Sequence, residues 1–297
     1  LDIKPQMVES YSVSEDKLTY TFTLRDGLLW HDGAPVKAED AVASVKRWGQ
    51  KDSLGQKLME FTRELKVVDD KTFKLILKEP FGLVLMALAK PSSNVPFIMP
   101  KRIADTPANE QISEYVGSGP FIFKVEDWKP GDKAVFVKNP TYKPRSEPSS
   151  WASGAKVVKV DRVEWISMPD HQTAVNALIA GEIDFIEQPP HDLLPLLEPE
   201  SDTIALVNVN PLGNQYMFRL NHLHPPFNNQ KLRRAALAAI QQEDFLKAVI
   251  GDPNWYKVCP AMFVCGTPLA TDAGTEIVMK SDFDLAKKLL KEGGYDG

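Results

Sequence analysis

"LTYTFTLRDGLLWHDGAPVKAEDAV", residues 18–42, alternates by two through its first half. Leu18, Tyr20, Phe22 and Leu24 fall on one face and Thr19, Thr21, Thr23 and Arg25 on the other, the pattern of a half-buried strand. Asp26-Gly27 makes a turn, Leu28-Leu29-Trp30 a short apolar step, and His31-Asp32-Gly33 a second turn. After Pro35 the acidic pair Glu39-Asp40 opens a helix, "KAEDAVASVKRWG". Ala38, Ala41, Val45 and Trp48 share one of its faces and Gly49 ends it. A strand followed by a helix points to a mixed α/β fold. No nucleophile and no metal cluster accompany this investment in aromatic and turn residues.

Further along, "ELKVVDDKTFKLILKEP" reads as a hairpin about Asp69-Asp70, with Leu65 and Val67 before the turn and Phe73, Leu75 and Leu77 after it. "FGLVLMALAK" reads as a short apolar helix. "VGSGPFIFKVEDWKPGDKAVFVKNP" reads as a second hairpin about Pro130-Gly131, and residues 143–156 as a polar loop rich in Pro and Ser. "VDRVEWISM", "PDHQTAVNALIAG" and "EIDFIEQ" read as strand, helix and strand, with Asp170 as N-cap and Gly181 past the helix end. That order predicts a βαβ unit and a partly parallel sheet. "NQYMFRLN" reads as another strand. "PPFNNQKLRRAALAAI" reads as a helix with Leu232, Ala236, Ala239 and Ile240 inward. A helix over 243–250 stops at Gly251, and "SDFDLAKKLLKEGG" is the last helix.

The bulk properties limit the function. The chain has 297 residues, room for about two domains. Its net charge of −5, with both signs interspersed, argues against a nucleic-acid partner. No apolar run approaches the roughly 20 residues of a membrane helix. No signal peptide opens the sequence at "LDIKPQMVES", which leaves a cytosolic protein or a removed leader.

Candidate chemistry is sparse. "GQKDSLGQK" misses the P-loop spacing and lacks Ser or Thr after Lys57. "GSGP" lacks the third glycine of a dinucleotide fingerprint and the flanks of a nucleophile elbow. His222 and His224 have no evident third ligand, so no metal site is assigned, and His31 reads as a loop histidine. Cys259 and Cys265, five residues between them, fit neither a redox CxxC nor a zinc knuckle. They are buried free thiols or a local disulfide, and the disulfide would imply an oxidising compartment.

In order along the chain, "VESYSVSEDKLTYTFTLRDGLLWHDGAPVKAEDAVASVKR", "VGSGPFIFKVEDWKPGDKAVFVKNPTY", "ALIAGEIDF", "LNHLHPPFNNQKLRRAALAAI" and "DLAKKLLKEGGYDG" resemble the extracytoplasmic dipeptide- and oligopeptide-binding proteins of ABC importers. The resemblance implies a periplasmic-binding-protein type II fold, α/β, with two hinged lobes and an extra α/β domain. Residues 1–116 would be that domain, 117–219 the first lobe and 220–297 the start of the second. It further implies a fragment, with a secretion signal and a first βαβ unit before it and the rest of the second lobe after it. The acidic partner of a peptide's amino end would then lie beyond residue 297.

The function implied is capture of a peptide or similar small solute in the periplasm and its delivery to the membrane permease by hinge closure. No enzyme activity and no cofactor are implied. The alternatives are a metal chelate, haem, opine or sugar as ligand, or a hydrolase on the same scaffold. Asn214, Tyr216, Phe218 and Asn221 are candidate cleft residues, unless their face is core. Trp255 and the "CPAMFVCGTP" loop are candidates too, unless they plug the interior. Gly117, Ser118 and Gly119 could offer backbone N–H groups, or serve only as a turn between domains. Because the family is exported, Cys259 and Cys265 are expected to be bonded to each other.

Overall fold

The computed structural model describes residues 2–295. The chain divides into two compact units, Leu1–Ser167 and Met168–Gly297. The described elements are mixed α and β.

In the first unit the order is β1 (Val8–Val13), β2 (Thr19–Leu24), α1 (Ala38–Trp48), α2 (Ser53–Phe61), β3 (Thr62–Val67), β4 (Thr72–Leu77), α3 (Val84–Leu88), α4 (Lys101–Ala104), β5 (Phe121–Phe123), β6 (Lys133–Lys138) and β7 (Arg162–Ile166). The strands β1-β2-β4-β3 form one antiparallel sheet. Its register sets Tyr20 against Leu75 and Phe22 against Phe73, whose rings stack at 5.1 Å. The period-two pattern holds: Tyr20, Phe22, Leu24, Phe73, Leu75 and Leu77 are buried while the threonines between Tyr20 and Leu24 are half-exposed. The helix α1 lays Ala38, Ala41, Val42, Val45 and Trp48 into the same core, which Trp30 and Leu58 complete. Burying each of the larger of these side chains contributes roughly 1.5–3 kcal/mol.

Strand β1 is an edge with mostly exposed side chains, and its weak alternation gave no signal in the sequence. The stretch 49–57 serves packing. The Asp52 carboxylate accepts from Leu54 N and Gly55 N to cap α2, and a Cβ at Gly55 would press on the Trp48 ring.

The strands β5-β6-β7 form a second antiparallel sheet, with Ile122 opposite Val137 and Phe136 opposite Val163. The polar loop between β6 and β7 is held by Arg145. Its guanidinium donates to the carbonyl of Val8 at 3.0 Å and to the Glu147 carboxylate at 2.7 Å.

The second unit contains α5 (His171–Ile179), α6 (Leu194–Leu197), α7 (Gln230–Ala239), α8 (Gln242–Val249) and α9 (Phe283–Glu292). Asp170 caps α5 by accepting from Thr173 N, and Asp282 caps α9 by accepting from Leu285 N. Helices α7 and α9 pack together, fastened by Asn229 Nδ2 donating to the Gly293 carbonyl at 2.9 Å and by the Lys231–Glu292 pair at 3.2 Å. The buried residues of α7 are Leu232, Ala235 and Ala238, whereas Ala236, Ala239 and Ile240 are half-exposed. The inward face is therefore turned by one residue from the sequence reading.

Two expected strands are corrected. Residues 182–188 and 214–221 carry no strand, so the βαβ unit is not formed, and the paired strands among the described residues all run antiparallel. Alternation supplies propensity, but a strand exists only when a neighbour takes up its N–H and C=O groups. Neither segment has such a neighbour among the described residues.

Candidate functional site

The most fully determined candidate is the turn Gly117-Ser118-Gly119, which leads into β5. The "HDG" turn holds it from one side. His31 N donates to the Gly117 carbonyl at 2.8 Å, and Gly117 N donates to His31 Nδ1 at 3.2 Å. The Gly119 carbonyl lies 3.1 Å from His31 Nε2. With Nδ1 accepting, Nε2 carries the proton and donates to Gly119, so one neutral tautomer satisfies every partner. The approach is close, since a Cβ at Gly117 would stand 3.2 Å from His31 Cε1.

Asn139 holds the turn from the other side, donating from Nδ2 to the Gly119 carbonyl at 3.0 Å and accepting from Thr141 N on Oδ1. Among the described residues, the N–H groups of Ser118 and Gly119 make no hydrogen bond within the protein. Both residues are half-exposed.

A cleft of about 350 Å³ opens beside this turn, lined by His31, Asp32, Glu114, Tyr115, Ile122 and Phe123 among others. Arg102 bridges its two acids, 2.9 Å from Asp32 and 3.1 Å from Glu114. The Ala34 N–H and then Arg102 hold the Asp32 carboxyl below its ordinary range. Burial holds the His31 imidazole below its ordinary pKa, with the Gly119 carbonyl and Asp32 pulling the other way. Tyr115, Phe123 and Trp128 meet edge-on at 5.6–6.4 Å and extend the apolar lining.

The other candidates lie in the second unit. Asn214, Tyr216, Phe218 and Asn221 are exposed on an extended segment, Tyr216 at 73% and Phe218 at 70%, so this face is not core. Phe218 meets Phe245 edge-on at 5.5 Å, and Asn214 Oδ1 accepts from Asn210 Nδ2. Trp255 is half-buried against the small core of Val175, Leu194 and Leu197, with the His191 ring 6.3 Å away. Cys259 and Cys265 are bonded to each other. The Gln242 amide grips the backbone of Cys259 at both groups, accepting from N at 2.6 Å and donating to O at 2.8 Å. That loop exposes Met262 and Phe263.

His222 and His224 are exposed, and the described residues hold no group of three metal-ligating side chains. The sequence reading missed the clamp of His31 and the roles of Asn139 and Gln242. All three act across long sequence separations, and a lone polar residue in a turn gives no local sign of that.

Comparison with known proteins adds independent findings. The family model described as bacterial extracellular solute-binding proteins, family 5 Middle, matches residues 2–297. The chain is 44% identical over 296 residues to the probable peptide ABC transporter periplasmic-binding protein y4tO of Sinorhizobium fredii (strain NBRC 101917 / NGR234), covering 99% of this chain and 55% of that protein. It superposes on the oligopeptide-binding protein AppA of Bacillus subtilis in complex with a nonapeptide with a TM-score of 0.73 at 24% identity, covering 98% of this chain and 55% of that one. It also superposes on AgaA of A. tumefacien R10 in complex with agropinic acid with a TM-score of 0.70 at 26% identity, again covering 98% and 55%. The chain thus spans about half the length of the curated relatives it matches.

Proposed function

Because the chain belongs to the bacterial extracellular solute-binding proteins, family 5, we propose that it is part of the solute-capturing component of a peptide-importing ABC transporter. The observation that carries this reading is the 44% identity, across 99% of the chain, to a probable peptide ABC transporter periplasmic-binding protein. On this reading the ligand is a peptide or similar small solute, the partner is the membrane permease and the compartment is the periplasm. The Cys259–Cys265 bond agrees with an oxidising compartment.

Asn214, Tyr216, Phe218, Asn221, Trp255 and the Gly117-Ser118-Gly119 turn are proposed as ligand contacts, and no residue is given a catalytic role. The type II fold with hinged lobes, the division at 116 and 219, and delivery by hinge closure belong to the same proposal. The chemistry suits reversible capture. An extended peptide offers backbone groups to free N–H donors, and aromatic rings accept varied side chains without strict selection. A ligand that binds one conformation better draws the protein into it, and that population shift is what a transporter can read.

Mass spectrometry of ligand released from the full-length protein purified without added peptide, followed by calorimetric titration with what is found, is the test. An intact peptide is expected. A peptide recovered cleaved, or no binding to any peptide offered, would overturn the reading. An opine ligand is the second reading, favoured by the likeness to AgaA in complex with agropinic acid. Displacement of a bound peptide by an opine would decide for it.

A further inference from the structure

We propose that His31 is a pH-sensitive latch on the Gly117-Ser118-Gly119 turn, closed while the imidazole is neutral and opened by its protonation. This goes beyond solute capture and does not depend on what the ligand is.

The latch rests on geometry. Both ring nitrogens face the turn and they ask for opposite things: Nδ1 lies 3.2 Å from the Gly117 N–H and Nε2 lies 3.1 Å from the Gly119 carbonyl. Only the neutral ring protonated at Nε2 serves both. A second proton must go to Nδ1, where it meets the Gly117 N–H. Two donors then point at one another, and the Gly117 amide loses its acceptor. The ring stays against the turn because Nε2–H keeps its bond to the Gly119 carbonyl.

The Nε2–Gly119 bond survives protonation, as do the His31 N to Gly117 carbonyl bond at 2.8 Å and the Asn139 bond to Gly119 at 3.0 Å. Opening is therefore a pivot about Gly119 and not an unfolding. The turn leads directly into β5 and His31 follows β2 of the four-stranded sheet, so the pivot changes how firmly these two parts of the first unit are tied.

The charges around the ring do not cancel the effect. Asp32 stands next to His31 on the same turn, Glu114 lines the same cleft, and Arg102 of α4 binds both. The two carboxylates are thus partly occupied by one guanidinium. Burial disfavours the imidazolium more than Asp32 favours it.

The experiment follows two signals in the protein by NMR between pH 7.5 and 5. One is the His31 Cε1–H shift, which reports protonation. The other is the Gly117 amide, whose exchange protection, corrected for the intrinsic pH dependence, reports the latch. Protection should fall about tenfold, one hydrogen bond's worth, along the His31 titration curve. His31→Gln offers one acceptor and one donor and does not titrate, so its Gly117 protection should stay level over the same range. Protection in the parent protein that stays level while His31 titrates overturns the proposal. So does a pH-dependent loss of the same size in His31→Gln. The parent measurement alone decides the matter if the variant does not fold.

Discussion

Removing the carboxylate of Asp40 should destabilise the first unit far more than an acidic residue in the first turn of a helix normally would. Asp40 is 7% exposed and accepts from three donors that lie far apart in sequence. Its Oδ2 takes the Lys37 N–H at 2.8 Å and the Trp30 Nε1–H at 3.3 Å, and its Oδ1 takes the Lys101 N–H at 2.6 Å. It therefore closes the start of α1, orients the buried Trp30 ring and ties down the start of α4.

A hydrogen bond to a charged acceptor contributes about 1.5–3 kcal/mol. Three such bonds set a ceiling that is not reached here. The Trp30 bond is long at 3.3 Å, and bonds that share one acceptor group are not additive. Asp40→Ala should accordingly cost about 3–5 kcal/mol. Asp40→Asn should cost about 2 kcal/mol, because its amide nitrogen must face at least one N–H donor. Urea unfolding followed by tryptophan fluorescence, with m checked for constancy, measures both. The reasoning fails if both variants stay within about 0.5 kcal/mol of the parent, the range of ordinary surface changes. It fails equally if Asp40→Asn costs more than Asp40→Ala.

Gly154 holds φ at +81° and has no room for a Cβ, which would land on the Pro148 carbonyl oxygen. Gly154→Ala should therefore lower stability by about 1–3 kcal/mol, and an unchanged melting temperature would refute this. The Arg145 guanidinium drives the Glu147 carboxyl down from 4.5 to about 2. The pair's contribution is then complete above pH 4.5 and is lost as pH falls from 4.5 toward 2. Carbon-13 NMR of the Glu147 carboxyl checks the midpoint, and Arg145→Ala should return it to the ordinary range. Thiol counting under denaturing, non-reducing conditions should find none free, and replacing both Cys259 and Cys265 by Ser should cost about 2 kcal/mol. Two free thiols in protein purified without reductant would contradict that pairing.

Local pattern carried a reading as far as local pattern decides structure. The strand β2, the hairpin β3–β4 and the helix α1 follow from alternation, turn residues and one apolar face, and they bury most of the residues the pattern names, Val67 being exposed and Leu18 half-buried. The cap at Asp170 was legible for the same reason, since a cap is a contact within four residues. The segments 182–188 and 214–221 alternate as well, yet they form no strand. What they lack is a partner, and no sequence of eight residues specifies its own neighbour. Helix α7 lies within the stretch read as helical but starts only at Gln230, and its inward face is turned by one residue. Its alanines offer little contrast, so the partner helix α9 decides which of them are covered.

The candidate turn shows how a few groups can be divided between holding a structure and remaining open to a ligand. Gly117 spends its N–H and its carbonyl on His31, and Gly119 spends its carbonyl on His31 and Asn139. None of these groups is free for capture. What remains is the Ser118 and Gly119 N–H pair, half-exposed and held in place by the bonds around it. Donors fixed before a ligand arrives cost it no ordering entropy, which is where rigid supports gain affinity. Tyr216 and Phe218 stand at the opposite extreme. They are large, apolar and more than two-thirds exposed, and Phe218 touches one ring at 5.5 Å. Few protein contacts hold these rings in advance. On the proposed reading, fixed N–H donors of this kind would select strictly for hydrogen-bond acceptors, whereas exposed rings of this kind would tolerate varied side chains.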